Sequence, residues 1–289
     1  MPKKRDGYSY AVVAVLLWST VASAFKISLR YLDVLSLLLY ASIVSTIILF
    51  CSLLFFRKLS LLRTLSKRDY LCSALLGLLN PFLYYLVLFK AYSILPAQQA
   101  LTLNFTWPIM LVLLSIPLLG QKIKPKSIFA IIVSFLGVLL ISTQGDILGL
   151  RFTSVTGVSL AVGSSVIWAL FWIYNIRDAG DENIRLFLSF AFGTCLIFLS
   201  ILLFSQLRFP GPKAVLGAVY VGSFEMGITF LVWLKALKSS RTTAFVTNLI
   251  YLVPFLSIIV IGFVVGEKIF FSTVIGLIFI MAGIILHKL

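Results

Sequence analysis

Histidine occurs once in this chain of 289 residues, at His287, and cysteine three times, at Cys51, Cys72 and Cys195. So few imidazoles and thiols leave almost no material for a histidine-based metal centre or acid–base pair. Each cysteine falls within or at the edge of an apolar run, so no disulfide framework is implied and all three are expected to be small core residues. Acidic residues are scarce too, nine Asp and Glu against 24 Lys and Arg. Neither paired carboxylates nor Cys/His sets appear, which argues against an enzyme and against any cofactor. Nucleotide-binding P-loop residues are also absent, which excludes an ATP-driven machine.

What the chain has instead is oil. Hydrophobic residues make up 61% and charged residues 11%, where a soluble domain carries about 25% charged residues. Mean hydropathy is +1.11. Ten apolar runs cover roughly 8–29, 34–56, 70–89, 97–119, 127–144, 155–176, 186–205, 213–234, 242–265 and 269–287. Each is near the ~20 residues a membrane-spanning helix needs. The fold class expected is therefore an all-α integral membrane protein of ten transmembrane helices. A net charge of +15 in a soluble protein would suggest nucleic acid. Here the basic residues sit in short connectors such as "RKLSLLRTLSKRD" and "QKIKPK", and topology explains them. Counting on alternate sides of ten spans puts seventeen of the 24 basic residues on the side of the N-terminus, so both termini are expected in the cytoplasm. Lys3, Lys4 and Arg5 followed by an apolar stretch and Ala22-Ser23-Ala24 resemble a cleavable signal. Trp18, Ser19 and Thr20 interrupt that stretch, and a retained first span is expected.

The sequence also repeats itself. "FKAYS" at 89–93 is echoed by "LKALK" at 234–238. Pro108 stands twelve residues before "GQKI" (120–123), and Pro254 twelve before "GEKI" (266–269). Gly137 and Gly283 each lie seventeen beyond the glycine of that motif, and Trp18 and Trp168 hold comparable places in spans one and six. Two halves of five spans are implied, residues 8–144 and 155–288. Five is odd, so the second half enters the membrane from the opposite face, an architecture of secondary transporters.

The stretch "LLWSTVASAFKISL" in span one, the duplicated Pro…Gly-[Gln/Glu]-Lys-Ile ends of spans four and nine, and the glycine-bearing fifth and tenth spans together resemble the EamA-like branch of the drug/metabolite transporter superfamily. The resemblance covers essentially the whole chain. It implies two inverted five-helix bundles, a protein functional as a monomer, and export or exchange of small metabolites such as amino acids and their relatives across the cytoplasmic membrane. Gln121 stands where the second copy has Glu267, so that position cannot carry the same ionisable chemistry in both halves. A channel or a purely structural bundle is the alternative; a channel would want rings of polar pore residues.

Glu225 is the carboxylate that the apolar setting makes conspicuous. Ten residues before Lys235 in the second copy, it matches Asn80, ten before Lys90 in the first. A charge at helix centre costs on the order of 3 kcal/mol, so both are expected to point inward, opposite each other across the pseudo-two-fold axis. On helical spacing, Glu225 is expected to share a face with Val221, Gly222, Thr229 and Trp233. Trp18 and Trp168 lie too deep for interface anchors and are expected to wall a cavity, joined by Tyr84, Asn104, Asn248 and Tyr251 as substrate-binding candidates. Glu225 is also the proton-coupling candidate, while a structural role as a buried hydrogen-bonding group competes with it. Trp233 and Tyr174 are expected at the membrane interface, and Lys26 is expected to snorkel outward. Pro108 and Pro254 are expected to kink spans four and nine as gating elements.

Overall fold

The computed structural model describes residues 6–120, 125–146, 152–176, 180–206, 209–239 and 249–288. Every regular element among them is helical. The first half holds α1 (Asp6–Ser28), α2 (Val34–Phe55), a single turn α3 (Leu59–Leu62), α4 (Lys67–Gly77), α5 (Tyr84–Ile94), α6 (Ala97–Asn104), α7 (Trp107–Leu119) and α8 (Pro125–Ser142). The second half holds α9 (Val155–Ile176), α10 (Glu182–Phe204), α11 (Pro212–Phe224), α12 (Ile228–Ser239), α13 (Val253–Val260) and α14 (Phe271–Lys288). Seven helical stretches among the described residues are long and apolar enough to cross a membrane, and Ile128–Ser142, Ile250–Val265 and Phe271–Leu286 are shorter apolar helices.

Local chemistry sets the ends. Asp33 caps α2 through Ser36 N at 3.0 Å. Ser66 and Asp69 form a reciprocal capping box at the start of α4. Asp181 accepts from Asn183 N and Ile184 N to start α10. Gly120 ends α7 and Gly266 ends the helical stretch after α13, both in the left-handed region at φ 65° and 75°. These are the glycines of the duplicated Gly-[Gln/Glu]-Lys-Ile motif, placed where only a residue without Cβ turns without strain.

Packing pairs each element with a counterpart. Helix α1 lies against α11, α12 and α13, and α9 lies against α4, α5 and α7. Helix α2 packs on α11 and α10 on α4, while α2 meets α10 and α8 meets α14 directly. In the α8–α14 pair, a Cβ on Gly137 would sit 2.5 Å from Gly276 O, and one on Gly276 would sit 2.7 Å from Gly137 O. Two backbones approach there as only small residues allow.

The outer surface is apolar. Phe55, Leu203, Phe204, Phe263 and Phe271 are among its most exposed side chains, as expected of a protein solvated by lipid rather than water. Cys51 and Cys195 belong to this surface and Cys72 is half-buried, so the cysteines are not the core residues expected.

Four of the apolar runs hold interrupted helices. Between α4 and α5 a π-helical turn, Leu78–Leu83, contains Asn80 at φ −145°, ψ 118°, followed by Pro81. Between α11 and α12, residues 225–227 form a turn. Asn80 and Glu225, matched in the sequence by their distance from a lysine, both sit at these breaks. Phe105 and Thr106 separate α6 from α7, and a 3-10 turn, Ile250–Leu252, precedes α13. Pro108 and Pro254 therefore each stand near the start of a new helix, where a missing N–H costs nothing, and the interruption lies ahead of the proline rather than at a kink around it.

Candidate functional site

A cavity of about 320 Å³ lies between the two halves of the chain. Trp18, Phe25, Tyr84, Asn104 and Trp107 line it from the first half, and Trp168, Trp172, Glu225, Phe230 and Trp233 from the second. Aromatic rings form a nearly continuous wall. Phe230 stands between Trp18 and Trp168, with centroids 6.0 and 6.1 Å away, and Trp18 also meets Trp233 at 5.5 Å. Trp168 packs on Tyr84 at 4.6 Å and meets Trp172 edge-on at 5.9 Å. Such offset and edge contacts hold the rings rigidly in place.

Glu225 reaches this wall because the helix stops beneath it. Its N–H and that of Met226 both bond Val221 O, at 3.0 and 3.3 Å, which ends the regular ladder. Two carbonyls freed by the break are recovered by hydroxyls, Phe224 O by Thr229 Oγ1 and Met226 O by Ser45 Oγ of α2 at 2.8 Å. In hydrocarbon an unsatisfied backbone group is costly, and neighbouring Ser and Thr are the usual remedy. A Cβ on Gly227 would lie 2.9 Å from Gly222 O, so the turn closes tightly on itself. Tyr85, fully buried on α5, donates its hydroxyl to Glu225 Oε1 at 3.0 Å. Among the described residues no donor reaches Oε2, and no lysine or arginine lines the cavity. The amide of Asn104 is already committed: Nδ2 donates to Ser164 Oγ at 2.9 Å, and Oδ1 accepts from Tyr84 at 3.3 Å.

Beyond Phe25 and Tyr92 lies a group of polar contacts, the first within the first half and the others between the halves. Lys26 Nζ donates to Tyr92 O and Leu95 O, at 2.8 and 2.6 Å, capping the carbonyl end of α5. The Glu267 carboxylate accepts from Ala97 N and Gln98 N, at 2.8 and 3.3 Å, capping the amide end of α6. The Gln98 side chain donates to Lys268 O and accepts from Phe270 N, both at 2.9 Å. At the other end of the molecule Lys58 and Asp181 form an ion pair of 2.5 Å. Towards that end the cavity wall continues through Leu111 and Leu237.

The structure thus brings Glu225, Trp18, Trp168, Tyr84 and Asn104 around one cavity. Asn80 is not with them. It is fully buried away from the cavity lining, and neither of its amide atoms has a hydrogen-bond partner among the described residues. Tyr251 packs half-buried beside the core without lining the cavity, and Asn248 lies outside the described residues. Three further expectations change. Glu225 does not continue a helical face through Thr229 and Trp233, because the break at 225–227 intervenes. Trp233 is buried against Trp18 instead of anchoring at an interface, because α12 packs on α1. Lys26 turns inward to two carbonyls rather than snorkelling. Sequence reasoning missed Tyr85 as the partner of Glu225; its place five residues after Asn80, beside Tyr84, was the available signal.

The profile of the EamA-like transporter family matches residues 5–143 and again residues 155–288. The chain belongs to this family. Among its relatives, an uncharacterized transporter of Clostridium kluyveri is 24% identical, over 98% of this chain and 93% of that protein. One of Archaeoglobus fulgidus is 25% identical, over 95% of this chain and 94% of that protein. An aromatic amino acid exporter of Ancylobacter novellus is 26% identical, over 54% of this chain and 55% of that protein. A solved crystal structure superposes with a TM-score of 0.67 at 22% identity, covering 98% of this chain and 96% of the other, a likeness of fold. The protein is a multi-pass membrane protein of a transporter family.

Proposed function

We propose that this EamA-like protein is a secondary transporter that exports or exchanges small organic metabolites, amino acids or related compounds, across the cytoplasmic membrane. Two five-helix repeats, residues 8–144 and 155–288, would lie in inverted orientation, ten spans in all, with both termini cytoplasmic and the monomer as working unit. Support for the inversion comes from the packing, which exchanges into itself when the halves are swapped: α1 on α12 and α13 mirrors α9 on α5 and α7, while α2–α10 and α8–α14 are self-paired. The observation that carries the function is a cavity lined by residues of both halves. Alternating access needs such a central site between two halves, whereas a channel needs a continuous path lined by polar residues. Substrate would lie against Trp18 and Trp168, with Glu225 as the charged group and proton-coupling candidate.

Reconstitution into proteoliposomes with a panel of amino acids, amines and related metabolites tests this. The expected result is saturable uptake with counterflow, in which trans-loaded substrate accelerates entry of the labelled compound. Flux that rises linearly with concentration and shows no counterflow would favour a channel.

A further inference from the structure

The charge inventory of the cavity is lopsided. Among the described residues one carboxylate lines it, Glu225, with Oε2 receiving no donor from them. Among the described residues no lysine or arginine joins it in the wall. The polar neighbours are neutral and largely spent, since the Asn104 amide is held by Ser164 and Tyr84. Trp172 Nε1, buried without a partner among the described residues, is a neutral donor and no counter-ion. Lys26, the nearest basic side chain along α1, is turned away to Tyr92 O and Leu95 O.

An amino acid brings a carboxylate and an ammonium into the same few ångströms. Among the described residues of this cavity the ammonium has a charged partner and the carboxylate has none, so entry would desolvate an anion unpaired by them. A simple amine brings the ammonium alone. The Trp18, Trp168 and Phe230 rings line the same cavity as Glu225, and an aromatic face attracts a cation. They also offer flat apolar area for the rest of the ligand.

Resting on the transporter reading above, we propose that the preferred ligand of this cavity is a monocationic organic amine with a flat aromatic body, its ammonium on Glu225 and its ring against the wall of Trp18, Phe230 and Trp168, and that amino-acid zwitterions bind it more weakly.

Three probes that share an indole ring separate the possibilities: tryptamine is a cation, tryptophan a zwitterion, and tryptophol neutral. Equilibrium binding of each to the purified full-length protein in detergent is measured with radiolabelled probe. Tryptamine is expected to bind at least roughly tenfold more tightly than either of the others, the loss of one charge-assisted contact. This comparison on the unaltered protein does not depend on any variant folding. Glu225→Gln should erase the preference of tryptamine over tryptophol, and Glu225→Asp should retain most of it. Tryptophan binding as tightly as tryptamine would overturn the proposal, as would equal binding of tryptophol or failure of tryptamine to bind at all. Transport supplies the separation from the broader reading. Saturable counterflow of tryptophan or another metabolite without tryptamine binding would sink this assignment and keep the transporter. Tryptamine binding without counterflow of any compound would do the reverse.

Discussion

Thr229 does the work of a missing helical turn. Its hydroxyl bonds Phe224 O, one of the carbonyls released where α11 ends, and the side chain is fully buried. Thr229→Val keeps the shape and removes the donor, leaving that carbonyl unpaired in an apolar setting at a cost of about 1–3 kcal/mol. A lower unfolding midpoint of the detergent-solubilised variant checks this, and Thr20→Val, whose hydroxyl is partly buried beside Tyr220, should fall by less. Glu225, held by this turn, was conspicuous in the sequence because a carboxylate in an apolar run stands out. Its neighbours were less legible. Trp18, Trp168, Tyr84 and Asn104 were found by depth, a property sequence spacing carries. Tyr85, Trp233 and Lys26 were missed or misassigned because their partners are remote in the chain.

At the scale of helices, the seven candidate spans were legible from apolar length and the interruptions were not, since a broken helix of apolar residues has the same composition as a continuous one. Asn80-Pro81, the Gly222 and Gly227 bracket around Glu225, and Thr106-Trp107-Pro108 were the marks available. The duplicated Gly137 and Gly283 were legible as a repeat, and the structure explains them by helix contact. A Cβ on Gly283 would lie 2.5 Å from Ala130 O, and one on Gly137 2.5 Å from Gly276 O. Gly137→Val is therefore expected to force α8 and α14 apart and destabilise the protein by about 1–3 kcal/mol. Gly163, with nothing within 4 Å of a built Cβ, is the counter-case; Gly163→Ala should be neutral or gain about 0.5–1 kcal/mol from helix propensity. Thermal unfolding of the two variants side by side measures the contrast. The tie between α2 and α10 adds a pH dependence. Burial pushes the Asp181 carboxyl up, but the Lys58 hydrogen bond and the Ile184 and Asn183 N–H groups outweigh it and hold the carboxyl below the ordinary aspartate value. A depressed carboxyl stabilises the folded state above its unfolded pKa of about 3.9 and loses that contribution as pH falls through the lower folded value. Asp181→Asn should thus cost stability at neutral pH and narrow its gap from the wild type in acid.

For the whole molecule, the contacts sort into two ends. Lys26, Tyr92, Leu95, Ala97 and Glu267 meet at one, and Lys58 and Asp181 at the other. Arg63 belongs to the connector just after Lys58, and Ser93 lies beside Tyr92, both exposed. The continuous segment between them, α4 through α5, is long and apolar enough to cross the bilayer once. Residues 63 and 93 must then face opposite sides, and the excess of basic residues around Arg63 predicts that it lies inside. Cysteines at these two positions, in a background where Cys51, Cys72 and Cys195 are replaced by serine, give the measurement. In sealed cells an impermeant maleimide is expected to modify residue 93 and spare residue 63, while permeabilised cells expose both. Modification of 63 alone would invert the orientation and leave the symmetric packing intact. Modification of both in sealed cells would mean that the segment does not cross, and the two-bundle arrangement on which alternating access rests would fall with it.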